Sequence, residues 1–164
     1  MNFEQTYHRL FKPVLAYIRS RFNHAGAAEE IASRTWQKVY EHQDQFDPAK
    51  GVAEQWIFTI ARNEVNKYVR SWQFRRFFSL TEQEEPFASD DKTPFEQLAV
   101  AEQNTVLLSA LGQLAARERD IISLKFYSGL NNRQIAAVSG LSESNVGTIL
   151  NRALRKLRSR LEQL

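Results

Sequence analysis

The chain has no cysteine. Disulfides, thiol catalysis and thiolate-held zinc are therefore excluded, and the absence fits a reducing compartment. Glycine and proline are scarce, six and four in 164 residues, which argues for helices over a turn-rich sheet protein. No apolar run is long enough to cross a bilayer, so no membrane insertion is expected. The start, Met1-Asn2-Phe3-Glu4-Gln5, has neither the basic nor the apolar segment of a secretory signal. The expected location is the cytoplasm. The three histidines, His8, His24 and His42, lack metal-ligand spacing, and no Asp/Glu/His cluster falls on the candidate helices. An enzyme is the least favoured class, and no cofactor or metal is expected.

What the chain does hold is aromatic and charged, and the charge is segregated. Residues 1–78 carry 12 Lys/Arg against 8 Asp/Glu, and residues 96–164 carry 9 against 6. Residues 79–95 carry one Lys against five acids. Two basic blocks thus flank an acidic connector, which with Pro86, Pro94 and few aliphatic residues reads as a flexible interdomain linker. Basic surfaces attract phosphate backbones.

Apolar residues at three-and-four spacing predict the helices. The first spans about Phe3 to Phe22, interrupted by Pro13, with a break at Asn23-His24-Ala25-Gly26. The second spans about Ala27 to His42, with Ala28, Ile31, Ala32, Thr35, Trp36, Val39 and Tyr40 inward. Its opposite face carries Glu29, Glu30, Ser33, Arg34, Gln37 and Lys38. After a loop, Phe46 to Gly51, a third helix spans about Val52 to Ser71, with Trp56, Ile57, Ile60, Ala61, Val65, Tyr68 and Val69 as its core stripe. Its other face carries Thr59, Arg62, Asn63, Asn66, Lys67 and Arg70, without a carboxylate. A solvated face usually mixes Glu with Lys, whereas Asn suits base edges and Arg or Lys suits phosphates or bases. Trp72, Phe74, Arg75, Arg76, Phe77 and Phe78 follow, an interleaving that can stack unpaired bases or close a core.

Helices resume near Glu96. Leu98, Val100 or Ala101, Val106, Leu107, Leu111 and Leu114 predict one, and Ile121, Ile122, Leu124 and Phe126 a second over about Arg117 to Tyr127, ended by Ser128-Gly129. Asn131 with Gln134 forms a capping box for a short helix carrying Ile135, Ala136 and Val138. Gly140 supplies a left-handed turn, Leu141 points inward, and Ser142 caps a longer helix holding Val146, Ile149, Leu150, Ala153, Leu154, Leu157 and Leu161. Short helix, glycine turn and long helix make a helix-turn-helix. The outer face carries Ser144, Asn145, Thr148, Asn151, Arg152 and Arg155, then Lys156, Arg158 and Arg160. Small polar groups there suit base edges in a major groove, and the cations suit phosphates; the bland alternative is a helical hairpin with a basic end.

These motifs resemble the sigma-70 family, extracytoplasmic-function group, over nearly the whole chain. Ala28-Glu29-Glu30-Ile31 with Thr35-Trp36 is similar to region 2.2. Phe46-Asp47-Pro48-Ala49-Lys50-Gly51 and the run from Trp56 to Asn63 are similar to regions 2.3 and 2.4. Leu111-Gly112-Gln113-Leu114, Arg117-Glu118-Arg119 and the helix-turn-helix through Arg158 are similar to region 4. The resemblance implies an all-α fold of two small helical domains, residues 1–78 and 96–164. It implies a protein that binds core RNA polymerase, at the coiled coil of its largest subunit and at its flap, and directs promoter-specific initiation. It implies minus-ten contacts from Lys50, Trp56, Thr59, Arg62, Asn63, Asn66, Lys67 and Arg70, and polymerase contacts from Glu29, Glu30, Ser33, Arg34, Gln37 and Lys38. Minus-thirty-five contacts fall to Arg133, Ser144, Asn145, Thr148, Asn151, Arg152, Arg155 and Lys156, and an anti-sigma factor is a further implied partner. Ser33 and Arg34 stand where the family usually has Gln and an acid, Asn66 where Asp is common, Ala115 where Pro is frequent, and Gly147 where a basic residue is frequent. Two other readings stay open at this point: a polymerase-independent helix-turn-helix regulator and a sigma-like interaction adaptor.

Overall fold

The structure, a computed structural model, describes residues 1–22, 25–78 and 101–163. Among them the expected all-helical class is borne out. Helices α1 (Phe3–Arg21), α2 (Ala25–Glu41) and α3 (Ala53–Phe78) form the first half, and α4 (Ala101–Gly112), α5 (Ala116–Ser128), α6 (Asn132–Ser139) and α7 (Glu143–Leu161) the second. The expected acidic linker and the expected helix start near Glu96, with Leu98 and Val100, lie outside the described residues.

Each helix follows from local chemistry. Asn2 caps α1 by accepting the Gln5 N–H at 3.1 Å, and Leu10, Val14, Tyr17 and Ile18 line its buried stripe. The helix continues through Pro13. The expected break at residues 23–26 is shorter than the sequence suggested, because Ala25 and Gly26 already belong to α2. Thr35, buried in α2, is satisfied by donating its hydroxyl to the Ile31 carbonyl at 2.8 Å. Tyr40 departs from the expected stripe: it is 60% exposed, its ring set edge-on to Phe3 at 5.2 Å. The loop before α3 opens with a short 3-10 turn, Gln43–Gln45, that periodicity did not indicate. Helix α3 runs past the expected Ser71, so the Trp72-to-Phe78 cluster extends the helix rather than forming a separate segment. Its inward face also buries Phe58, against the edge of Tyr17 at 5.6 Å, and Glu64, paired with Lys38 of α2.

In the second half, Val106, Phe126, Leu154 and Leu161, all expected inward, are instead exposed. Leu154 adjoins the buried Ala153, whereas Val106, Phe126 and Leu161 have no buried neighbour on either side, so helical period alone does not assign these four positions to the core. Gly129 and Gly140 end α5 and α6 in the left-handed conformation, at φ 70° and 73°. The capping box of α6 is complete: Asn131 accepts from Gln134 at 2.9 Å, and Gln134 accepts from the Asn131 N–H at 3.0 Å. Ser142 caps α7 through the Asn145 N–H at 3.1 Å. A Cβ added at Gly140 meets nothing within 4 Å, so its cost is purely conformational. Gly140→Ala is expected to lower stability by about 1 kcal/mol, read as a lower urea midpoint with an unchanged slope.

The two halves are packed together. Helix α1 lies along α5 and touches α4, while α3 touches α5 and α6. Their buried apolar side chains form one continuous cluster.

Candidate nucleic-acid interface

The outer face of α7 is the most open of the expected surfaces. Val146, Ile149, Leu150, Ala153 and Leu157 are buried beneath it. Ser144, Asn145, Thr148, Asn151, Arg152, Arg155 and Arg158 are all exposed on it. Arg133 of α6 is exposed as well. Lys156 has a second engagement: its ammonium donates to both Glu118 oxygens at 2.9 and 3.0 Å, tying α7 to α5. Those bonds hold the Glu118 carboxyl below its usual range, with burial opposing them. Arg152, Arg155, Lys156, Ser159, Arg160 and Gln163 line a shallow basic depression at the C-terminal end of α7. Gly147 is half-buried and faces Asn132, the first residue of α6, so this position supplies no contact from a side chain.

The expected face of α3 is divided. Asn63, Lys67 and Arg70 are exposed, and Lys50 stands fully out in the preceding loop, 3.9 Å from Asp47. Trp56 is half-buried with its ring 5.7 Å from that of Phe46. The Thr59 hydroxyl donates to the Gln55 carbonyl at 2.7 Å, within the helix. Arg62 and Asn66 turn instead to the seam between the halves. Arg62 Nε donates to Asp120 Oδ2 of α5 at 2.8 Å, and Asn66 Oδ1 accepts from Arg21 of α1 at 2.9 Å.

Sequence patterning singled out Arg62 and Asn66 but not Tyr17, Arg21 and Asp120, the residues they meet at that seam. Asp120, its side chain only 6% exposed, also accepts from Arg21 at 2.8 Å and from the Tyr17 hydroxyl at 2.9 Å. Burial pushes the Tyr17 phenol well above its usual range, so it stays a neutral donor. Arg119, the next residue on α5, donates to the carbonyls of Leu111, Gly112 and Leu114 at 2.9, 2.7 and 2.9 Å. It satisfies the orphan carbonyls at the end of α4. Burial, with Arg21 nearby, pulls its pKa down to about 10, which leaves it charged at neutral pH. The sequence signal was present but mute: four charged residues in a row, Arg117-Glu118-Arg119-Asp120, follow the first residue of a helix whose next four positions are buried.

The α2 outer face is exposed as expected at Glu29, Glu30, Ser33, Arg34 and Gln37. Its charges are paired locally, Arg34 with Glu30 and Glu29 with Arg19 at 3.7 Å, and Gln37 donates to Glu41 at 2.8 Å. Lys38 is drawn inward to Glu64. Among the described residues no His/Cys/Asp/Glu group could hold a metal, and no helix is long and apolar enough to cross a membrane.

Comparison with known proteins accounts for both halves. Residues 6–75 match the family model "Sigma-70 region 2", and residues 110–159 match "Sigma-70, region 4". The ECF RNA polymerase sigma factor SigL of Mycobacterium tuberculosis is 31% identical over 140 residues, 85% of this chain and 77% of that protein. In structure the chain is similar to the sigma factor RpoE of Bartonella quintana, solved in complex with the anti-sigma factor NepR. The TM-score is 0.81 at 23% identity, over 98% of this chain and 97% of that one. It is also similar to CnrH, a sigma factor of Cupriavidus metallidurans, solved in complex with the cytosolic domain of CnrY. There the TM-score is 0.70 at 23% identity, over 98% of this chain and 88% of that one. The chain belongs to the ECF RNA polymerase sigma factors of the sigma-70 family, non-enzymatic DNA-binding proteins that direct the initiation of transcription.

Proposed function

We propose a division of labour along the chain. Residues 1–78 dock on core polymerase and engage the minus-ten element; residues 96–164 read the minus-thirty-five element, with residues 79–95 tethering the two. On α7, Ser144, Asn145, Thr148 and Asn151 reach base edges in the major groove, while Arg133, Arg152, Arg155 and Lys156 hold phosphates. On α3, Asn63, Lys67, Arg70, Arg62 and Asn66, with Thr59, Trp56 and Lys50, capture bases as the duplex opens. The stacking lost on opening, a few kcal/mol per step, is offset by those contacts. The exposed α2 face, Glu29, Glu30, Ser33, Arg34, Gln37 and Lys38, meets the coiled coil of the largest polymerase subunit, and the second half meets the flap. An anti-sigma protein is the further partner, in line with the complexes in which the two structural neighbours were solved. The site of action is the cytoplasm, where polymerase and promoter DNA meet.

The observation that carries this reading is the α7 surface. From Ser144 to Arg160 every exposed charge is positive, above an inward face that is wholly apolar. Helix packing alone does not require that segregation. Arg152→Ala with Arg155→Ala is expected to weaken minus-thirty-five DNA binding at all sequences. The slope of log affinity against log salt should also shrink, by about two phosphate contacts. Gel shifts at several salt concentrations give the slope; an unchanged one removes both arginines from the phosphate-binding surface.

A further inference from the structure

The seam between the halves puts Arg62 of the proposed minus-ten face in contact with an anionic group of the other half, and sets Asn66 of the same face against Arg21, which bonds that group too. Asp120 alone takes two guanidiniums and a phenol, from Arg62, Arg21 and Tyr17. Its partners lie 58, 99 and 103 residues away in the chain, so the cluster exists only while the halves are together. Asn66 closes the ring by accepting from Arg21. Because Asn66 is neutral, the charge of Arg21 is left to Asp120.

We propose that Asp120 is an intramolecular latch, which holds the second half of the chain against the first and occupies Arg62 in place of a nucleic-acid phosphate or base. This rests on the reading of α3 as the minus-ten face.

Dimensions support a latch that must open. The two promoter elements are about 25 base pairs apart, which at 3.4 Å per pair is roughly 85 Å. A compact chain of this length has a radius of gyration of about 15 Å and a breadth of roughly 40 Å. The closed body is too small to seat α3 and α7 on both elements at once. The chain between Phe78 and Ala101 reaches at most about 75 Å when extended, enough with the helices themselves to bridge the gap. Binding both elements therefore requires the seam to part and releases Arg62 in the same event.

The seam is also suited to competition. Arg21 and Arg62, two cations, share the one carboxylate of Asp120. The contact region carries surplus positive charge. A polyanion offers those guanidiniums more acceptors than Asp120 does, so nucleic acid and the closed state draw on the same groups.

The test uses the full chain. Asp120→Asn keeps the size of the side chain and removes its charge. Tyr17→Phe removes one hydroxyl donor from the same carboxylate and preserves the packing of the ring. Small-angle scattering is expected to give a radius of gyration near 15 Å for the unaltered chain. Asp120→Asn should raise it by at least about 5 Å, and Tyr17→Phe should raise it less, with unchanged helical circular dichroism in both. Fluorescence anisotropy with a labelled oligothymidylate should show Asp120→Asn binding about three- to tenfold tighter. An extended unaltered chain, or an Asp120→Asn variant as compact as the parent, overturns the latch. An Asp120→Asn variant that extends but binds the oligonucleotide no better overturns the competition at Arg62. Adding Arg62→Ala to Asp120→Asn should cancel the gain. If scattering shows the extended form and this double variant still binds as tightly, the latch stands and the reading of Arg62 as a nucleic-acid contact fails.

Discussion

Alanine at both Asn63 and Lys67 is expected to reduce promoter opening by about a hundredfold while polymerase binding and the fold stay intact. Both side chains are exposed on α3, away from the Arg62–Asp120 seam, so their removal leaves no buried group unsatisfied. A specific contact to a base edge contributes about 1–3 kcal/mol, and each 1.4 kcal/mol is a factor of about ten. Two contacts near the lower end of that range give the hundredfold. The measurement is permanganate reactivity of unpaired thymines in the promoter, with co-purification of core polymerase as the control. Reactivity equal to that of the unaltered protein would show that this face does not hold the opened strand. The pair is a cleaner probe than Arg62, because replacing Arg62 also removes one of the three donors to Asp120 at the seam.

The second large effect is on stability. Phe58→Ala is expected to cost about 3–5 kcal/mol, a substantial part of the roughly 5–15 kcal/mol that holds a typical domain folded. Phe58 is fully buried in α3, and its ring meets Tyr17 edge to face at 5.6 Å. The truncation opens a cavity beneath the residue that orients Asp120, so seam and core should weaken together. Phe126→Ala is the control: that ring is 61% exposed on α5, and its loss should stay within about 0.5 kcal/mol. Urea unfolding of the two variants separates them. A Phe58→Ala midpoint close to that of Phe126→Ala would show that the core repacks around the gap.

Much of the site was legible because its determinants are local. The Asn131–Gln134 box, the Gly140 turn and the Ser142 cap each act within three residues, so one stretch of sequence carries the whole instruction. Exposure of Asn63, Lys67, Arg152 and Arg155 followed from helical period alone. The errors were also local in kind. Tyr40, Val106, Phe126, Leu154 and Leu161 are apolar residues left exposed, and hydrophobicity alone does not say how far the cover of neighbouring helices extends. The length of α3 was underestimated because an aromatic cluster at a helix end reads equally as a loop that closes a core.

By itself the sequence determined the helices, their caps, the helix-turn-helix and the segregation of charge, since each is set by groups a turn or less apart. Only the tertiary structure decided that Arg62 and Asn66 face a seam rather than solvent, that Lys38 and Lys156 are drawn to Glu64 and Glu118, and that Asp120 gathers charges from both halves. The physical reason is range. An ion pair between residues 58 or 99 positions apart depends on how separately specified helices come to rest against one another, and no periodicity within either helix encodes that meeting.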